Sequence, residues 1–384
     1  MTATPFSIAA RIAGLCRQIL APSRFPGPVR YVRRVAVGAV FLPALLLLQA
    51  VHWIGFLLDE VLFRAYRRVA IREPVFVLGA PRSGTTYLHR LLAADTRYTT
   101  FATWECLFAP SITERRLWSG LAAADRLIGS PVARSLTAAG RTAFRWIDDK
   151  HPLGLAEPEE DYFCFLPLLR CFILVVPFPE ARRVWRMGTF DRDMPEAERR
   201  QLLAWYRRCL QRHLYAHGPD RTLLSKNAAF AGMARSLARE FPDARIVVCE
   251  RDAVDVIASQ FNSVTDGLRL FGVPHDDPVF RARLLDCLAF YYRNLEDLRT
   301  ELPPERIAAA PMEELAADPA ALVRRLYDRL ELPVTDTLAA RLRQLESRRP
   351  HVPAEAPPLS SWGIDMAEVF RRFAAWTRKE EPQT

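Results

Sequence analysis

Residues 74–92 read PVFVLGAPRSGTTYLHRLL. The β-branched and apolar run at 75–78 predicts a buried strand. Residues 79–84 make a tight loop with two glycines, and 85–94 predict a helix. This order commits the chain to an α/β fold and makes an anion cradle. Backbone N–H groups of the loop and the helix N-terminus converge on one spot, where the helix dipole favours negative charge. Arg82 adds a guanidinium fork, and Ser83, Thr85 and Thr86 add hydroxyl donors. Such a cradle suits a phosphate or a phosphosulfate.

A chain of 384 residues can bury a large core, and its 25% charged residues are those of a folded protein. Its net charge of +9 is almost wholly arginine, since Lys150, Lys226 and Lys379 are its only lysines. The arginines are spread over many predicted helices without a concentrated patch, so no nucleic-acid partner is expected. Cysteines 16, 106, 164, 171, 209, 249 and 287 form no CxxC pair and no zinc-spaced cluster. They read as reduced core residues in a cytosolic compartment, and no structural metal is implied.

The first 34 residues carry six arginines and no acid, and residues 35–58 carry no charge at all. As a helix this run reaches about 36 Å, enough to cross a bilayer. Arginines flank it on both sides, so the positive-inside rule gives no orientation. Pro43 lies within it, where a helix is expected to kink. A bent hairpin or an in-plane helix anchored by Trp53 accounts for both observations better than a simple crossing. The alternatives are a single span, a hydrophobic helix buried against the domain, or an oligomer contact. Residues 1–72 are therefore expected to be a basic, membrane-associating segment, peripheral, monotopic or single-pass, at the cytoplasmic face.

Residues 73–384 form the expected catalytic domain, with a helical insertion at about 110–220. An acidic stretch closes at Glu157, Glu159, Glu160 and Asp161, followed by an apolar segment over 162–178. A long helical pattern runs from 195 to 217 and stops at Gly218-Pro219. Residues 222–262 form a second α/β unit. One strand ends at Lys226-Asn227, a helical stretch covers 228–240, and a strand over 245–249 leads through Arg251-Asp252 into a helix. Amphipathic helices are expected over 280–300 and 318–345. The fold class is thus α/β: a P-loop-like three-layer fold with a central, mostly parallel sheet, helical insertions and an N-terminal hydrophobic helix.

Gly79 and Gly84 have the spacing of a nucleotide-triphosphate loop, but Thr85-Thr86 stands where Lys-Ser or Lys-Thr is required. The lysine that would reach the β- and γ-phosphates is absent from its place, which disfavours a kinase or NTPase. The loop instead resembles the phosphosulfate loop of sulfotransferases, enzymes that use 3′-phosphoadenosine-5′-phosphosulfate (PAPS). The PRSGTT version is most similar to tyrosylprotein sulfotransferases and the bacterial sulfotransferases related to them. The later motifs follow in order: Lys226-Asn227, then FPDAR at 241–245, then Arg251-Asp252 with Ser259. A weaker echo lies over 312–333. Ala228 and Ala253 depart from the family, which favours proline, or proline or glycine, at those places.

The resemblance implies that Arg82, Ser83, Gly84, Thr85 and Thr86 hold the 5′-phosphosulfate, and that Arg251 and Ser259 hold the 3′-phosphate. Lys226 and Arg82 would stabilise the departing nucleotide, and Glu105 matches the family's catalytic glutamate. Trp104 beside it would desolvate the carboxylate and raise its proton affinity. The rival base lies among Glu157, Glu159, Glu160 and Asp161, where clustered acids can push one pKa upward. The expected reaction is in-line transfer from PAPS to a hydroxyl acceptor without a metal. The apolar segments hint at a lipid-like alcohol. The competing class is a non-catalytic, membrane-tethered nucleotide-binding protein.

Overall fold

The computed structural model describes residues 5–21, 27–131, 134–135, 157–345 and 358–377. Lys150, Lys379 and residues 151–156, which lead into the acidic stretch, lie outside them. In chain order, helices α1 (Pro5–Leu20) and α2 (Pro28–Leu62) precede strand β1 (Val75–Gly79) and helix α3 (Thr85–Leu92). Strand β2 (Tyr98–Thr99), α4 (Thr103–Phe108) and α5 (Ile112–Leu127) follow. After the 3-10 turn Asp161–Leu168 come α6 (Arg182–Gly188), α7 (Phe190–Asp193) and α8 (Glu196–His217). The chain continues through β3 (Thr222–Lys226), α9 (Ala234–Glu240), β4 (Arg245–Glu250), α10 (Ala253–Leu270) and α11 (Pro278–Glu301). It closes with β5 (Ile307–Pro311), α12 (Met312–Ala317), α13 (Pro319–Arg329), α14 (Asp336–Leu345) and α15 (Met366–Phe373).

The five strands form one parallel sheet in the order β2-β3-β1-β4-β5. Central β1 is buried along its whole length, and its pleat splits it between two cores. Val75 and Val77 face Leu88 and Leu91 of α3 and Val323 of α13, whereas Phe76 and Leu78 join the larger core that contains Phe241 and Ile257. This two-sided burial explains the uninterrupted apolar run. The strand register aligns Val77 with Lys226 on one side and Gly79 with Cys249 on the other. The carboxyl ends of β3, β1 and β4 therefore open side by side, where open parallel sheets bind ligands.

The N-terminal apolar helix is a single element through Pro43, which sits on an exposed face. Its inner face carries polar anchors. Arg212 of α8 donates to Asp59 at 2.9 Å and to Glu60 at 3.0 Å, and its guanidinium lies over the rings of Phe56 and Tyr66. Asp59 also accepts from the N–H groups of Ile112 and Thr113 at the start of α5. His52 contacts Glu114 at 2.6 Å. Gly55 permits this approach, because a Cβ there would lie 2.4 Å from Ser111 Oγ. These contacts join α2 to α5 and α8. All seven cysteines are free, and all but Cys16 are buried.

Candidate active site

The loop after β1 turns through left-handed backbone at Arg82 (φ 68°) and Gly84 (φ 87°). Gly84 caps α3, and a Cβ there would sit 2.7 Å from Met312 Sδ and 2.9 Å from Leu315, so glycine is required on both counts. Ser83 is fully buried and its Oγ donates to Ala80 O at 2.6 Å, a bond that holds the loop's shape. Thr85 is buried while Thr86 is exposed at the mouth of the cradle.

The strand ends bring the other motif residues to this loop. Arg82 Nε donates to Ser259 Oγ at 3.1 Å, and Arg251 Nη1 donates to the carbonyl oxygen of Arg82 at 2.9 Å. Desolvation, then the neighbouring Arg251 charge, lowers the proton affinity of the Arg82 guanidinium. Two guanidinium groups held this close favour an anion between them. Lys226 is 3% exposed, and its Nζ donates to Thr86 Oγ1 at 3.3 Å and to Glu160 Oε1 at 2.9 Å. Its charge reaches His89: burial first, then Lys226, depresses that imidazole to about 3. A cavity of about 250 Å³ opens beside Arg251, lined by Ala80, Tyr292, Trp376 and Thr377. Tyr292 and Trp376 stack at 5.5 Å, and the Tyr292 hydroxyl donates to Arg251 O. A larger cavity, about 520 Å³, lies along β5 and contains none of the loop residues, so its size says nothing about the chemistry.

The acidic stretch is pinned in place by α4. Thr103 N donates to Glu157 O, Glu159 N donates to Phe101 O, and Ala102 pairs with Pro158. Asp161 is buried, accepts from Tyr206 Oη at 2.5 Å and lies 3.5 Å from Asn227 Nδ2. Burial raises Asp161 to about 6 against the opposing hydrogen bonds.

Glu105 behaves differently from the expectation set by Trp104. It is 1% exposed and meets Arg115 at 3.3 Å, His217 at 2.5 Å and the N–H of Ala102 at 2.9 Å. Burial opposes ionisation here, but the Arg115 charge and the His217 hydrogen bond outweigh it. The carboxyl is held well below the usual range, so the expected rise in proton affinity is reversed. Its partners, absent from any motif, come from α5 and the end of α8. Glu105, His213 and His217 bring potential ligand atoms within 4.8 Å of one another, but Arg115 already supplies the compensating cation.

This loop, with its lysine and paired arginines at neighbouring strand ends, accords with the comparisons. The sulfotransferase family pattern matches residues 74–336. The chain belongs to the sulfotransferase family. It is 27% identical over 290 residues to the omega-hydroxy-beta-dihydromenaquinone-9 sulfotransferase Stf3 of Mycobacterium bovis, covering 73% of this chain and 68% of that protein. The Stf3 of Mycobacterium tuberculosis matches equally. Among solved structures, STF9 from Mycobacterium avium aligns with a TM-score of 0.73 and 18% identity, covering 97% of this chain and 94% of that one. STF1 from M. tuberculosis H37Rv aligns at 0.68 and 18%, covering 96% and 92%. Its chemistry is therefore of the sulfotransferase type, on an α/β fold with helical insertions and an apolar N-terminal helix.

Proposed function

We propose that the protein transfers a sulfuryl group from PAPS to a hydroxyl of a lipid-like acceptor at a membrane surface, on its cytoplasmic face. The observation that carries the reading is Lys226, whose ammonium bridges Thr86 of the loop and Glu160 of the acidic stretch. In this reading the loop is a P-loop-like cradle in which Arg82, Ser83, Gly84, Thr85 and Thr86 hold the 5′-phosphosulfate. Arg251 and Ser259 hold the 3′-phosphate, and the Tyr292–Trp376 wall beside Arg251 receives the purine. The acceptor oxygen attacks sulfur in line, and the bond from sulfur to the phosphate oxygen breaks. Lys226 and Arg82 neutralise the charge that grows on the departing bisphosphate.

The base is a carboxylate, and Glu160 suits the role better than Glu105. Glu160 sits partly exposed beside Lys226 at the loop, where an acceptor can reach it, while Glu105 is buried against Arg115 and His217. A lipid-like acceptor agrees with the hydroxylated menaquinone in the relative's name and with the apolar 162–178 segment.

Purified protein with sulfur-labelled PAPS and hydroxylated isoprenoids should yield labelled lipid. Glu160→Gln and Lys226→Ala should each lower kcat by about 100-fold or more. Full activity of Lys226→Ala, or thermal stabilisation by ATP but not by PAPS or adenosine 3′,5′-bisphosphate, overturns the reading.

A further inference from the structure

Helix α2 has two opposite stripes. The inner one, through Arg34, Gly38, Leu42, Leu45, Gln49, His52, Phe56 and Asp59, is buried against the rest of the protein. The outer one advances by three, four or seven residues through Val40, Leu47, Val51, Ile54, Leu58 and Val61, all exposed. Val40 and Val61 are each 73% exposed and Leu47 69%. Large aliphatic side chains at that exposure, aligned over about 32 Å of helix, call for an apolar neighbour.

We propose that this outer stripe is a docking surface for an anionic lipid bilayer, on which α2 lies in plane rather than crossing. The inner stripe argues against crossing. Arg34 donates to Gln18 O and Phe271 O, Trp53 Nε1 to Pro167 O, and Asp59 is held by Arg212. These anchors run from Arg34 to Asp59, so a spanning α2 would have to leave the domain and carry unpaired polar groups into hydrocarbon. The charge pattern names the occupant. Residues 35–58 hold no charge, and exposed arginines bracket the stripe: Arg33 lies seven residues before Val40, and Arg64 and Arg68 follow the helix end. An apolar strip between cationic ends matches acyl chains flanked by anionic headgroups. The inference rests on the membrane-surface reading above and does not depend on the transfer chemistry. It also bears on acceptor access, because the Pro167 carbonyl bound by Trp53 lies in the turn that directly follows Glu160.

The test is flotation of the full chain with phosphatidylcholine vesicles, with and without phosphatidylglycerol. The protein should float with the anionic vesicles, less so at raised salt. The double variant Leu47→Glu, Ile54→Glu should lose at least about 10-fold in partitioning while keeping its melting temperature and its stabilisation by adenosine 3′,5′-bisphosphate. The pair Arg33→Glu, Arg64→Glu should lose the anionic preference, and it decides the matter if the first variant does not fold. Undiminished flotation of both variants overturns the proposal. So does a wild-type chain that ignores both kinds of vesicle; cross-linking of a Leu47→Cys variant to a second copy would then make the stripe an oligomer contact. Flotation without any nucleotide stabilisation leaves docking intact and overturns the PAPS reading instead.

Discussion

Glu105 and Glu160 are both carboxylates of the acidic inventory, and their surroundings separate their roles. Glu105 sits among Arg115, His213 and His217, so its charge is part of the packing of α4 against α5 and α8. Glu105→Gln would leave Arg115 buried without its counter-ion, at a cost of about 3–5 kcal/mol. Denaturant unfolding should register that loss, and the surviving folded fraction should retain most of its kcat. Unchanged stability with collapsed kcat would return the base role to Glu105. Asp161 offers a second measurement. Its pKa rises from 3.8 in the unfolded chain to about 6 in the folded one, so the native state keeps a proton that the unfolded state releases. Its stability contribution is therefore lost as pH climbs between those two values, and the loss is complete above them. Asp161→Asn, which keeps an acceptor for Tyr206, should flatten that fall by about 1–3 kcal/mol in unfolding free energies compared at pH 4 and pH 7.

At the scale of elements, what could be read beforehand tracks how strongly each side chain reports its surroundings. β1 and β4 are largely apolar runs buried almost throughout, so composition and burial agree; β3 has only Leu223 and Leu224 to report its burial, and its Ser225 and Lys226 are buried as site residues. β5 escaped because Ile307–Pro311 is mostly alanine, which carries little strand preference; pairing with β4 decides its conformation. β2 is two residues long and exists only by its register with Thr222 and Leu223. The 228–240 stretch splits into a 3-10 turn and α9, and within the turn Gly232 presses so closely on the backbone of Gly188 that a Cβ would meet its carbonyl. In the site, Arg82, Lys226, Arg251 and Ser259 could be picked out from their order in the chain; Arg82 bonds Ser259 and accepts from Arg251, and Lys226 reaches Thr86 of the same loop. The depressed Glu105 carboxyl was not recognisable, because its partners lie 10 and 112 residues away and belong to no motif.

For the whole molecule, the question is whether α2 is an attachment or part of the domain. The buried Arg212 guanidinium takes its charge compensation from Asp59 and Glu60 and its ring contacts from Phe56 and Tyr66, and three of these four lie on α2. Phe56 and Leu42 belong to the same core cluster as Phe76 of the central strand. A chain that starts at residue 63 would uncover that core and strand Arg212 among apolar groups, a penalty of about 3–5 kcal/mol for the unpaired charge alone. Such a loss is a large fraction of the stability of an ordinary domain. We therefore expect the truncated chain to lack a cooperative melt and to bind no adenosine 3′,5′-bisphosphate, measured by calorimetry beside the full chain. A sharp melt at the full-length temperature would make α2 a detachable anchor. The expected failure would mean that one helix serves as membrane support on its outer stripe and as catalytic-domain core on its inner one, so that the distance between bilayer and cradle is set by packing rather than by a tether.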